Sequence, residues 1–205
     1  TRVRHMDYGV VLSAFFWRRF KNKENITFFD PNEVPDLYEA FYQNTKLFEE
    51  LYVKYESRKD LRKKTMSAEE VFKGGILKER TDTGRIYLVN IDNAMNQGPF
   101  DPEYHTIYQS NLCVEILLPT KPFKRLDDPT GRIALCTLGS INWGAFRNPE
   151  DMRRAARILH RSLNNILDYQ DFLSIQSKLS NDEIRPIGIG ITNLAYWAAK
   201  RGLKY

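Results

Sequence analysis

Gln109-Ser110-Asn111-Leu112-Cys113-Val114-Glu115-Ile116 places an amide, a thiol and a carboxylate at alternate positions. In an extended segment successive side chains point to opposite faces. Asn111, Cys113 and Glu115 would then share one face, and Leu112, Val114 and Ile116 the other. A helix would scatter the polar three, because alternate residues lie about 200° apart around its axis. The β-branched Val114 and Ile116, with Pro119 closing the run, favour the extended form. The stretch therefore predicts a strand-like segment with one chemical face and one core face.

The chemistry of that face is specific. A carboxylate beside a thiol works against a thiolate, and nucleophilic cysteines usually sit beside cations or helix N-termini. The nearest histidine in sequence is His105, too far along the chain to be an adjacent base. A neutral S–H held between a carboxylate base and an amide donor suits hydrogen-atom chemistry better. The plain alternative is a small buried hydrophobe at Cys113, with Asn111 and Glu115 in solvent.

Upstream of this stretch, basic Arg2 and Arg4 precede Val10-Val11-Leu12 and Phe15-Phe16-Trp17, which predict a buried turn or short strand entering a short helix. Ile26-Thr27-Phe28-Phe29 predicts a strand. Asp30-Pro31-Asn32-Glu33 has the form of a helix cap. Leu37, Phe41, Phe48, Leu51 and Tyr55 recur at helical spacing, predicting one helix over 36–55. A charged surface connection follows over 54–64. Ser67-Ala68-Glu69-Glu70 forms a capping box for a helix to about Glu79, with Val71 and Phe72 inward and Gly74-Gly75 weakening its middle. A turn at Thr81-Asp82-Thr83-Gly84 leads to a strand over 85–91 carrying Arg85 and Tyr87. A long loop over 93–108 then runs to the opening stretch.

Downstream, 121–131 is turn-rich, and Arg132-Ile133-Ala134-Leu135-Cys136-Thr137-Leu138 predicts a strand delivering Cys136. An irregular link covers 139–146. Asn148-Pro149-Glu150-Asp151 caps a helix to about Tyr169. Met152, Ala155, Ala156, Leu159, Leu163, Ile166 and Leu167 form its apolar face, and Arg153, Arg154, Arg157 and Arg161 its solvated one. His160 reads as a surface or boundary histidine. Pro186-Ile187-Gly188-Ile189-Gly190-Ile191 predicts a strand whose glycines permit close backbone approach, followed by a helix over 192–200. Gly188-Ile189-Gly190 lacks the third glycine and acid of a dinucleotide site. Interleaved strands and helices make the class α/β.

Ser110-Asn111-Leu112-Cys113-Val114-Glu115-Ile116 with Leu118-Pro119-Thr120-Lys121-Pro122 resembles the finger loop of the large, catalytic subunit of ribonucleotide reductases, class I type. Arg4-His5-Met6-Asp7-Tyr8, Thr83-Gly84-Arg85-Ile86-Tyr87, Pro99-Phe100-Asp101-Pro102, Ala134-Leu135-Cys136-Thr137-Leu138 and Gly188-Ile189-Gly190 resemble the same family in the same order. The resemblance implies that 1–205 is a single interior segment of a ten-stranded α/β barrel with a central finger loop. It implies Cys113 as the thiyl-radical cysteine acting at the ribose 3′ carbon and Glu115 as the base for the 3′-hydroxyl. Asn111 would hydrogen-bond the sugar hydroxyls, with Ser110 beside it on the substrate. Cys136 would be one of two cysteines that reduce the 2′ position and become a disulfide. Arg85 and Tyr87 would lie near the radical path.

The resemblance further implies reduction of ribonucleoside diphosphates, a metal-containing small subunit as radical source, and thioredoxin or glutaredoxin as dithiol reductant. The second reducing cysteine, the effector loops and the ATP-binding cone are expected before Thr1. The phosphate-binding loop, the radical-transfer tyrosine pair and the shuttle cysteines are expected after Tyr205. The chain alone is accordingly expected to be inactive, and its open strand edges to make it aggregation-prone or dependent on a partner, the rest of the large subunit foremost.

Composition narrows the alternatives. With 42% apolar and 28% charged residues among 205, the chain has an ordinary globular balance and enough length for a sizeable core. A net charge of +5 is dispersed, with no Lys/Arg block of the kind that forms a nucleic-acid tail. A non-catalytic nucleotide- or nucleic-acid-binding module, or a structural fragment, is the competing class; salt-sensitive single-strand binding would mark the former. Two cysteines point to a reducing compartment rather than a disulfide scaffold, and their spacing matches no zinc pattern. No metal is expected in this chain. With neither a signal-peptide pattern nor a long apolar run, the cytoplasm is the expected location.

Overall fold

The computed structural model describes residues 5–205, so Arg2 and Arg4 lie outside the described residues. The chain divides between Pro119 and Thr120 into two compact units.

The first unit opens with strand β1 (Tyr8–Leu12) and helix α1 (Ala14–Lys21). Ser13 ends the strand and caps the helix, its Oγ accepting from the Phe16 N–H at 3.3 Å. Strand β2 (Asn25–Phe29), helices α2 (Pro35–Gln43) and α3 (Thr45–Ser57) and strand β3 (Lys63–Ser67) follow. A π-helical stretch (Glu70–Leu77) runs into α4 (Lys78–Thr83), then β4 (Ile86–Asn90) and α5 (Ile91–Asn96). β1 pairs parallel with β4, Tyr8 opposite Ile86 and Leu12 opposite Asn90. β2 pairs antiparallel with β3, Asn25 opposite Ser67.

Adjacent residues of α1 point about 100° apart and so feed two cores. Phe15 joins Val34, Leu37, Ala40, Phe48, Tyr52, Tyr55 and Leu61, whereas Phe16 joins Leu12, Ile26 and Ala68. Edge-on ring contacts knit the first of these, Phe15 lying 4.8 Å from Tyr52 and 5.7 Å from Phe48.

Several sequence expectations change here. Asp30-Pro31-Asn32-Glu33 is a turn, closed by Glu33 N–H on Asp30 O at 3.0 Å, and Pro35 is the proline that opens α2. The helix expected over 36–55 is two, because Asn44 leaves helical geometry and spends its side chain capping Leu47 N–H at 2.9 Å. Ser67 does cap, accepting from Glu70 N–H at 3.1 Å, but it also ends β3, whose first two residues, Lys63 and Lys64, fall in the expected surface connection. The helix it opens outlasts Glu79 and ends on Gly84, whose φ of 69° is the left-handed stop that glycine supplies without strain. Residues 93–108 begin in α5 rather than wholly as loop.

The second unit contains β5 (Leu138–Asn142), a 3-10 turn (Trp143–Ala145), α6 (Pro149–Tyr169), α7 (Ile175–Ile184), β6 (Gly188–Thr192) and α8 (Leu194–Ala199). β5 and β6 pair parallel, with α6 and α7 forming the crossover that parallel strands require. A Cβ on Gly188 would stand 2.5 Å from Leu138 Cδ2, so a side chain there would require that exposed leucine to shift. α6 has the predicted bounds, with Asn148 accepting from Asp151 N–H at 2.9 Å. Ile166, expected inward, is exposed.

The strand expected over 132–138 is displaced. Within that span only Arg132 bridges, to Lys121, and β5 starts at its last residue, Leu138, and runs on into the expected irregular link. Helix α7 had no sequence expectation. Its buried face is polar (Gln176, Ser177, Ser180 and Asn181), so an apolar stripe could not reveal it. Gln176 is fully buried and its Nε2 donates to Leu126 O at 3.0 Å and Asp128 O at 2.8 Å, pinning the preceding loop. The architecture is thus mixed α/β as expected. The strands of the described residues form three two-stranded sheets and close no barrel.

Candidate functional site

The finger stretch belongs to the first unit and is anchored on both flanks. Before the tip, Ile107 is buried, and its N–H meets Met95 Sδ at 3.2 Å. Tyr108 packs its ring 5.0 Å from Tyr42 and accepts from Gln43 Nε2 at 2.7 Å. Burial, with Tyr38 alongside, pushes the Tyr42 phenol up to about 12. After the tip, Val114 and Leu117 pack on Val89, Ile91 and Ala94, and Pro119 is buried. The anchors therefore come from α2, β4 and α5.

The tip itself is a turn, which corrects the extended reading. Val114 N–H donates to Asn111 O at 3.2 Å, and Ile116 N–H donates to Asn111 Oδ1 at 3.1 Å. Ser110 Oγ donates to Asn111 O at 2.9 Å. Backbone N–H groups need partners, and a segment that pairs with no strand among the described residues finds them in its own asparagine, as short polar side chains commonly allow. Val114 takes a φ of 66°, a left-handed conformation costly for a β-branched residue. Its packing on the β4–α5 cluster holds it there.

The turn changes which side chains face out. Cys113 and Glu115 are exposed, as is Leu112, which alternation had assigned to the core. Val114 and Ile116 are half-buried, and so is Asn111. The structure thus gathers Ser110, Asn111, Cys113 and Glu115 in one short turn, and the thiol is not buried in hydrocarbon. Tyr87 lies on β4 opposite Gly9, on the same face of the strand as Val89, which supports the finger. Arg85 precedes β4 and its carbonyl accepts from Tyr8 N–H at 2.9 Å. Cys136 belongs to the second unit, as an exposed thiol in the extended link two residues before β5. Tyr42, Gln43, Ile107 and Tyr108, which brace the loop, escaped sequence reasoning. Their only signal was an aromatic inside a presumed loop.

Among the described residues no group of three or more His, Cys, Asp or Glu could hold a metal ion. No helix there is long and apolar enough to cross a membrane.

Fold and finger together define a mixed α/β segment that carries an exposed thiol at the tip of a braced loop. The family model for the ribonucleotide reductase barrel domain matches residues 1–205, and the chain belongs to that family. It is 47% identical over 204 residues to the ribonucleoside-diphosphate reductase subunit alpha of Haemophilus influenzae. It is 44% identical over 204 residues to subunit alpha of the corresponding reductase 1 of Escherichia coli, and 37% over 207 residues to that of enterobacteria phage T4. Each match covers 100% of this chain but 27% of the relative. The chain therefore spans about a quarter of the length of the curated relatives it matches.

Proposed function

We propose that this chain carries the finger loop of a ribonucleoside-diphosphate reductase large subunit and performs the radical step of deoxyribonucleotide synthesis there. The observation that carries the reading is the exposed thiol of Cys113 in the same tight turn as Asn111 and Glu115. In this reading a radical supplied by a metal-containing small subunit reaches Cys113, and the sulfur takes a hydrogen atom from the ribose 3′ carbon. Glu115, also exposed, draws the 3′-hydroxyl proton, which requires hydrogen-bond reach in the bound complex. Asn111 Oδ1 is held by Ile116 N–H, so its Nδ2 is the end that meets sugar hydroxyls. That fixed orientation is the benefit of spending one end of the amide on the backbone.

Cys136 supplies one of the two reducing thiols, and the disulfide so formed is reset by a thioredoxin- or glutaredoxin-type dithiol. ATP and deoxynucleotide effectors act on parts of the subunit outside this chain. Tyr87 lies on the strand that braces the finger, which supports a place for it and Arg85 near the radical path.

The experiment is Cys113→Ser in a large subunit containing this segment, with small subunit, dithiol and a ribonucleoside diphosphate supplied. Deoxyribonucleotide formation is expected to vanish, whereas Ser at Cys136 blocks turnover driven by the external dithiol. A Cys113→Ser subunit that still reduces substrate refutes the assignment. The 205-residue chain alone, tested the same way, is expected to be inactive.

A further inference from the structure

The second unit holds a cavity of about 460 Å³ that the finger chemistry does not use. It is built where β5 and β6 end: Phe146 and Arg147 come from the connection after β5, and Tyr196, Trp197, Lys200 and Arg201 from α8 and the turn beyond. Ligands of α/β folds collect at the carboxyl ends of parallel strands, because the connecting loops diverge there. Its lining includes no carboxylate. Among the described residues none of the ion pairs involves Arg147, Lys200 or Arg201. Cations sharing one concavity without a counter-charge make a local positive field that favours anions.

The aromatic groups are arranged with them. The Arg201 guanidinium lies 4.4 Å over the Trp197 ring, and its Nη1 donates to Trp197 O at 3.3 Å. Stacking holds the guanidinium plane while its remaining N–H groups stay available to an oxyanion. Trp197 is in turn braced by Trp143, ring to ring at 5.2 Å. Lys200 Nζ stands 5.8 Å from the Tyr196 ring, and Tyr196 as a residue is 52% exposed. An anchored cationic fork beside an open aromatic face fits one kind of small molecule, a phosphate ester that carries a planar ring.

We propose that this cavity is a nucleoside-phosphate site. Arg147, Lys200 and Arg201 take the phosphates and Tyr196 stacks the base. It is independent of the finger-loop reading, since none of its residues belongs to that loop.

The test is equilibrium dialysis of the chain against ADP, adenosine and inorganic pyrophosphate, with indole fluorescence as a second readout of Trp143 and Trp197. ADP is expected to bind, and adenosine and pyrophosphate each to bind at least about tenfold more weakly. Arg147→Ala with Arg201→Ala should weaken ADP by at least about tenfold. Tyr196→Ala should weaken ADP and leave pyrophosphate unchanged. All of these positions are exposed, and circular dichroism confirms that each variant folds. Loss of ADP binding in Glu115→Gln would place the nucleotide on the finger and overturn the proposal. Pyrophosphate binding as tightly as ADP overturns the proposal in favour of a bare anion patch. Displacement of ADP by a single-stranded oligonucleotide, with a salt dependence of many more than three charges, overturns it in favour of a nucleic-acid surface. Unaltered ADP binding by the double arginine variant overturns it outright.

Discussion

Tyr52→Phe removes a single oxygen and should unfasten β2. The Tyr52 hydroxyl accepts from Thr27 N–H and donates to Thr27 O, both at 2.7 Å, so it stands where a third strand would pair. The ring, 6% exposed and packed against Phe15, Phe29 and Phe48, is kept in the variant, and the apolar packing with it. What is lost is the partner of one buried donor and one buried acceptor, each costing about 1–3 kcal/mol when left unmet. We expect a loss of about 2–4 kcal/mol at pH 8, read by urea unfolding and by faster exchange of the Thr27 amide.

The same hydroxyl titrates, which adds an independent arm. Burial pushes the Tyr52 phenol up to about 12, against about 10 in the unfolded chain. Between these values the unfolded chain releases a proton that the folded one keeps. The contribution is therefore fully present below pH 10 and lost as pH rises through 12, amounting to about 2.7 kcal/mol for two units at 1.36 kcal/mol each. Tyr42, also raised to about 12, titrates in the same window and remains in the variant. Tyr52→Phe should thus be less stable at pH 8 yet lose less between pH 10 and 12 than the parent does. Equal urea midpoints at pH 8, together with equal alkaline losses, would refute the reasoning.

Gln176→Ala should cost about 1–3 kcal/mol by removing two part-buried hydrogen bonds to the Leu126 and Asp128 carbonyls, with hydrogen exchange rising over 121–133 rather than along α6. Unchanged exchange there would show that the loop is held by something else. Asn148→Ala should cost about 1 kcal/mol through the lost cap on α6, measured by thermal unfolding, and Asn148→Asp should restore most of it. In a large subunit carrying this segment, Asn111→Ala should release Ile116 N–H and lower kcat far more than it lowers stability, since the loop is anchored at Ile107, Tyr108 and Leu117. A variant with normal kcat would show that the turn does not orient the site.

Some of this protein is legible residue by residue. The cap at Asn148, the proline behind it and an unbroken apolar stripe determine α6, because every signal there is local and all agree. The short strands β2, β4 and β6 follow from β-branched and aromatic runs, and the order of the motifs is enough to place the chain in its family. The grouping of Asn111, Cys113 and Glu115 is likewise visible in the spacing alone.

What the tertiary structure decided is how those groups are presented. Alternation predicts an extended finger only if another strand pairs with it. Among the described residues none does at the tip, so the backbone bonds to Asn111 and the run folds into a turn that exposes Leu112 and strains Val114. Asn44 ends one helix and caps the next by a similar local competition, invisible in the apolar stripe that crosses it. Helix α7 is the strongest case, for its buried face is made of amides and hydroxyls. Such residues go inside only when a particular loop brings carbonyls to meet them, and that partner is set by the packing of distant segments rather than by any local pattern.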